Sequence, residues 1–206
     1  LPTGNPWLAD QDQATENGGP SGQALSPQST RTGVSSPQPG IRTPNVVDRL
    51  PRRDVVWPAT IWWLGAHGGA GESTLATLAA GSRPAGHAWP IPITPGTMHR
   101  VVLVARSNYA GISAARLAAT EWASSALSDG IDLAGLVVIA DAPGRIPKPL
   151  RDFERIVAGG VPHMWRLPWI DAWRVGPVDS RSPLPKEFRQ LFSDLQITTS
   201  STPAHH

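Results

Sequence analysis

Between Gly65 and Gly71 the chain reads GAHGGAG, and Glu72-Ser73-Thr74 follow at once. Four glycines in seven residues let the backbone curl so that successive N–H groups close around an anion. A helix opening just after such a turn adds the partial positive charge of its first turn. The chemistry this spacing supports is phosphate or other anion binding, by His67, Gly68, Gly69, Ala70, Gly71, Glu72, Ser73 and Thr74. Ser73 or Thr74 fits as a magnesium ligand beside a bound phosphate and fits equally as a plain helix cap. Asp141 ends an apolar run and opens Asp141-Ala142-Pro143-Gly144. It fits a magnesium role, but aspartate before Pro-Gly is ordinary turn chemistry, and capping is the role expected. For His67 two readings stand, donation to a phosphate and a solvent-facing loop position, the second being expected.

Composition narrows the remaining classes. The chain has no cysteine, which excludes disulfides, thiolate metal sites and cysteine nucleophiles. Its six histidines fall in no metal-type spacing with a carboxylate. Formal net charge is +2, the only lysines are Lys148 and Lys186, and the arginines are scattered. No dense basic run of the nucleic-acid type appears. The longest apolar run, Leu133 to Ala140, falls far short of the ~20 residues that span a bilayer. No secretory leader is visible at the start, so a cytoplasmic protein without membrane contact is expected.

The glycine turn needs elements to hold it, and the flanking sequence supplies them. Ile61-Trp62-Trp63-Leu64 ends abruptly in Gly65, as a buried parallel strand does when it feeds a tight turn. LATLAA continues from Thr74 with a helical apolar face that should stop by Gly81. Val101 to Ala105 reads as a second buried strand, and Ile112 to Leu127 as a helix with apolar residues at helical spacing. Gly135 to Ala140 reads as a third strand, Leu150 to Val157 as a short helix and Val161 to Leu167 as a fourth strand. Residues 84–99, crowded with proline and glycine, are expected to be loop. Leu184 to Leu195 is an amphipathic stretch for a detached or docking helix, with a frayed end from Thr198.

Strands alternating with helices imply right-handed crossovers and a parallel sheet covered on both faces, with ligands at the carboxyl ends of the strands. The expected fold is thus α/β: a small three-layer parallel sheet of about four strands over residues 54–176. Residues 1–53, rich in the chain's 22 prolines and 20 glycines, cannot bury enough apolar surface to offset their ordering entropy and are expected to be a disordered tail. A flexible leader is expected there, ahead of a partner-binding tail anchored by Trp7 or by Arg49, Arg52 and Arg53. Residues 177–206 form an extension carrying the last helix. Trp62, Trp63 and Trp122 are placed in the core, with Trp165, Trp169 and Trp173 covering a sheet edge; an exposed cluster would instead mark a partner site.

His67-Gly68-Gly69-Ala70-Gly71-Glu72-Ser73-Thr74 resembles the deviant Walker A loop of ParA/MinD-like partitioning ATPases, written KGGxGKST. VVLVARSNYAGISAARLAA is similar to the strand-turn-helix those proteins carry after their second switch, and GLVVIADAPG resembles their next strand. A closer resemblance is to an uncharacterised, Trp-rich actinobacterial group with the same lysine-free loop, similar to plasmid or conjugation-associated proteins. The resemblance implies a P-loop NTPase-like fold with ATP and magnesium at the loop. The departures lie at the chemistry. His67 stands where the signature lysine belongs, Glu72 where the phosphate lysine belongs, and the family's switch region is compressed into residues 84–99, which hold no acidic residue. The expected protein is therefore a degenerate, non-catalytic interaction or regulatory module in plasmid partition or conjugative transfer. It would work through a protein partner, a dimer being compatible with the fold, and carry no cofactor or only weakly bound ATP/Mg. The alternative is a nucleotide-binding switch or weak NTPase.

Overall fold

The computed structural model describes residues 33–127, 129–178 and 183–200. Its centre is a five-stranded, wholly parallel sheet of β2 (Trp62–Gly65), β3 (Arg83–Pro84), β5 (His99–Arg106), β6 (Ile131–Ile139) and β7 (Met164–Leu167), in the order β3-β2-β5-β6-β7. A separate parallel ribbon pairs β1 (Arg52–Val55) with β4 (Trp89–Pro92). Helices α1 (Glu72–Leu78), α2 (Tyr109–Ala123), α3 (Lys148–Ala158), α4 (Ala172–Val175) and α5 (Lys186–Leu195) complete the chain. The three-layer α/β fold expected from the sequence is present, with one more strand in the sheet than the four anticipated.

Two apolar clusters, one on each face, carry the sheet. Val101, Leu103 and Ala105 of β5 join Ile112, Ala115 and Trp122 of α2 on one face. Val102 and Val104 of the same strand face the other way, toward Leu75 and Leu78 of α1 and Phe188, Leu191 and Leu195 of α5. That period-two alternation is what a strand buried on both faces needs. Along β6 the alternation slips: Leu133, Leu136 and Val138 all enter the α2 cluster. A bulge opposite Val101/Val102 absorbs the extra residue. Gly135 sits there at φ 156°, where a Cβ would run into the His163 carbonyl and lie 2.7 Å from the Trp165 ring.

The loop expected over residues 84–99 is corrected: it contains part of β3 and all of β4, and Trp89 is fully buried. The prolines misled because proline cannot donate to a ladder, yet β4 is paired on one side only. Trp89 N–H donates to Pro51 O at 2.8 Å and Ile93 N–H to Val55 O at 3.5 Å. The alternate positions, Pro90 and Pro92, would point an N–H away from the partner strand and lose nothing by lacking one.

Residues 33–53, assigned to the tail by composition, lie along the domain. Gln38 N–H donates to Ala123 O at the end of α2 (2.8 Å), and Arg52 and Arg53 are already in β1. Glu121 of α2 holds this strap: its fully buried carboxylate accepts from Leu50 N–H (3.3 Å) and Trp89 Nε1–H (2.9 Å), with the Arg52 guanidinium at 3.5 Å. The remaining tail residues, 1–32, lie outside the described residues.

At the other end, α5 is docked rather than detached, and Thr198–Ser200 are tied down: Ala80 N–H donates to Thr198 O and Ser200 N–H to Leu78 O, both at 2.8 Å. Trp62, Trp63 and Trp122 are core, as expected. Trp165 packs on the α5-side cluster and donates to Asp194 Oδ2 at 2.9 Å. Trp169 belongs to neither cluster. Among the described residues no helix is long and apolar enough to cross a membrane.

Removing the Glu121 carboxylate (Glu121→Ala) strands two buried donors and a guanidinium, and should cost about 3 kcal/mol in the urea unfolding midpoint. Trp165→Ala should cost ~3 kcal/mol by the same measurement, and Trp169→Ala clearly less, because only the first fills core volume.

Candidate functional site

The chain leaves β2 in one direction, through α1 to β3, and returns to pair β5 on the other side of β2. Between β2 and β5 the order therefore reverses, with α1 packed on one face and α2 on the other. A crevice opens at the carboxyl ends of strands at such a point, where ligands of α/β sheets are commonly held. The glycine turn, residues 65–71, lies there.

At the ends of β2 and β5 the chain's own side chains bond the free backbone groups. Beyond Ala85 the neighbour strand peels away from β2 through Gly86 and His87, both at positive φ (65° and 57°). The polar groups of Gly65 on that side would be orphaned. Instead Glu72 Oε2 accepts from Gly65 N–H at 2.8 Å and from His87 N–H at 3.4 Å, while His87 Nδ1–H donates to Gly65 O at 2.7 Å. A carboxylate and an imidazole thus take the place of a missing strand. Glu72, the first residue of α1, is turned back onto β2.

On the β5 side His67 does corresponding work. Its Nε2 accepts from Arg106 N–H at 3.1 Å, and Nδ1–H donates to Gly68 O at 2.8 Å. That pattern fixes the tautomer with the proton on Nδ1. The ring is packed so closely on the start of α2 that a Cβ at Gly111 would come 2.9 Å from Nε2. His67 is therefore not the solvent-facing loop residue expected. Arg106 adds a clamp, giving Nε–H to Gly69 O and an Nη1–H to Ala140 O, both at 3.2 Å.

The rest of the predicted set divides. Gly71, at φ 108°, is the N-cap residue of α1, and no side chain caps that helix. Neither Ser73 nor Thr74 is its cap; Ser73 offers its carbonyl to Thr77 Oγ1 at 2.9 Å. Gly71 is required by contact as well as by φ, since a Cβ there would lie 2.7 Å from Ile139 Cδ1. Ala70 is buried under the turn, and Gly68 and Gly69 form its open tip. Ser73 and Asp141 are not brought together: Ser73 lines a hollow with Thr77, Ser82 and Arg83, and Asp141 lines another with Ser107, Asn108 and Arg145. Asp141 is exposed, and its N–H donates to Ser107 Oγ at 3.0 Å. Among the described residues no three His, Asp or Glu side chains are arranged to hold a metal ion. Sequence reasoning missed His87 and Arg106; the Gly-His pair at 86–87 was the available signal for a left-handed turn.

A family model described as "Family of unknown function (DUF6668)" matches residues 59–189, more than half of the chain. The chain belongs to this family. In this DUF6668 protein the matched segment holds every residue of the crevice, whereas the strap and β1 lie outside it. No curated protein and no solved structure matches the chain.

If Glu72 holds the end of β2 and His67 the end of β5, their effects should separate in native-state hydrogen exchange. Glu72→Ala should speed exchange of the Gly65 amide about tenfold, and His67→Ala that of the Arg106 amide, each worth roughly one net hydrogen bond. An unchanged Gly65 amide would mean that something other than the carboxylate protects it.

Proposed function

We propose that this DUF6668 protein is a non-catalytic, P-loop-like interaction or regulatory module that kept the shape of a phosphate-binding fold without its chemistry, with plasmid partition or conjugative transfer as its setting and the cytoplasm as its compartment. The observation that carries the reading is the bond from Gly65 N–H to Glu72 Oε2. At the position where the resemblance calls for a phosphate lysine stands a carboxylate, and that carboxylate is engaged in holding the turn together. A phosphate entering the turn would meet a negative charge and no lysine: at ~4 Å and an effective dielectric near 20, one such pair costs ~4 kcal/mol. Transition-state stabilisation of a transferring phosphoryl group depends on positive charge in that place. Apolar side chains exposed at Val46, Val47, Val56, Trp57 and Ile93 support a protein partner rather than a substrate as the natural ligand.

The second reading, a nucleotide-binding switch or weak NTPase with loosely held ATP/Mg, is favoured by one observation. The tip of the turn is open, with no atom beyond the adjoining residues within 4 Å of where a Cβ would stand on Gly68 or Gly69. Backbone N–H groups at such a tip can hold an anion without a lysine.

A thermal shift and a phosphate-release assay separate the two. ATP with magnesium at millimolar concentration should leave the melting temperature unchanged, against the ~2.7 kcal/mol gained by a ligand at 100 times its dissociation constant. Magnesium-dependent phosphate release should not exceed background. Glu72→Lys should melt lower, because Gly65 loses its acceptor, and should gain a nucleotide-dependent shift absent from the parent. Steady turnover by the parent chain, lost on changing Ser73 and Thr74 to Ala, would overturn the proposal in favour of the second reading.

A further inference from the structure

Across the β5–β6–β7 end of the sheet, on the α5 side of the glycine turn, lies a hollow of about 270 Å³ lined by Thr74, Arg106, Ile139, Trp169, Trp173 and Arg174 among others. Its chemistry differs from that of the crevice. Ile139, Ala140 and Pro168 supply apolar surface, two indoles supply flat walls, and two guanidiniums border it with the Thr74 hydroxyl. Among the described residues that line it there is no carboxylate. The nearby Asp171 is engaged with Trp169 Nε1–H at 2.7 Å.

The walls are held from behind. Arg106 spends Nε–H and one Nη1–H on the carbonyls of Gly69 and Ala140, which fixes the plane of its fork; a guanidinium has five N–H donors in all. The Arg174 guanidinium lies 5.9 Å from the centre of the Trp169 ring. Trp173 is set edge-on against Phe188 of α5, with ring centres 5.2 Å apart. Arg106 and Trp173, fixed by such contacts, do not have to be ordered by a ligand, which lowers the cost of binding.

We propose that this hollow binds a small aromatic carboxylate, its ring against Trp169 and Trp173 and its charge on Arg106 and Arg174. The charge follows from the two arginines and the absence of lining acids, since an arginine fork matches a carboxylate in two parallel hydrogen bonds. The flat body follows from the indoles. The size follows from the volume, which lies just below the ~300–1,000 Å³ of drug-sized sites. The hollow borders the glycine turn through Gly71 and Thr74, but the inference stands apart from the proposed function because the ligand is held by Arg106, Arg174 and the indoles and not by the N–H groups of the turn.

Calorimetric titration of the full chain with 2-naphthoate tests it, alongside 2-naphthamide, which keeps the ring without the charge, and cyclohexanecarboxylate, which keeps the charge without the flat ring. One saturable site for 2-naphthoate is expected, about tenfold or more tighter than for either analogue. Arg174→Gln and Trp169→Leu should each weaken it by about tenfold while circular dichroism and melting stay those of the parent. ATP with magnesium should not compete. Equal affinity for 2-naphthoate and 2-naphthamide would overturn the proposal, as would undiminished binding in Arg174→Gln, competition by ATP, or no saturation by about 1 mM.

Discussion

A carboxylate with no solvent contact, Glu121 in the last turn of α2, is the point on which the N-terminal strap hangs. A buried charge is tolerated only where partners surround it, and here the partners come from three places: the Leu50 amide, the Trp89 indole and the Arg52 guanidinium. Meeting that demand draws the strap across α2, brings β1 beside β4, and seats Trp89 in the apolar cluster shared by β5 and α2. The β1–β4 ribbon has no hydrogen-bonded place in the main sheet. It is held there by the polar knot at Glu121 together with the buried bond from His99 Nδ1–H to Pro90 O at 2.7 Å. A second buried carboxylate, Glu154, joins α3 to β7 through Arg166 at 2.7 Å, so both helices on this face are joined through buried acids to neighbouring segments.

The central layer was legible because its strands obey one rule. Val101–Ala105 and Leu136–Ile139 are unbroken apolar runs bounded by turn residues, as strands covered on both faces are. The second helix was expected from Ile112, but it starts at Tyr109, capped by Asn108, whose Oδ1 accepts from Gly111 N–H at 2.8 Å. What escaped was whatever depended on a distant partner. Nothing local says that Pro90 and Pro92 face away from β1, that Leu50 has an acceptor in α2, or that a bulge at Gly135 lets Leu133 and Leu136 share a face. Alpha-helix α2 was read as running to Leu127, but Ser125 adopts φ 58° and the helix ends at Ala123. The sequence contains no proline or glycine there to announce the stop.

At the glycine turn the position of the turn was legible in the sequence, but the partners of its side chains were not. Glycine spacing pointed to the turn after β2, and the turn does occupy the switch point of the sheet. Charge reasoning then treated Glu72 as a group facing a phosphate. In the fold it faces its own backbone, because β3 has only two residues and leaves Gly65 without a neighbouring strand. His67 likewise is held by the Arg106 amide, a group no sequence pattern could have paired with it.

The strap also imposes an order of events on the growing chain. Leu50 and its acceptor Glu121 are 71 positions apart, and synthesis at ~5–20 residues per second puts roughly 4–14 s between them. During that interval Leu50, Arg52 and the β1 strand have been made while the acid that captures them has not, and β4 emerges before α2 does. The central strands β2, β5 and β6 are added successively to one sheet, so the N-terminal segment is made first and secured late. A chain interrupted before α2 would hold Trp89 and the β1 edge uncovered, which makes this stretch the one most in need of shelter while the protein is being born.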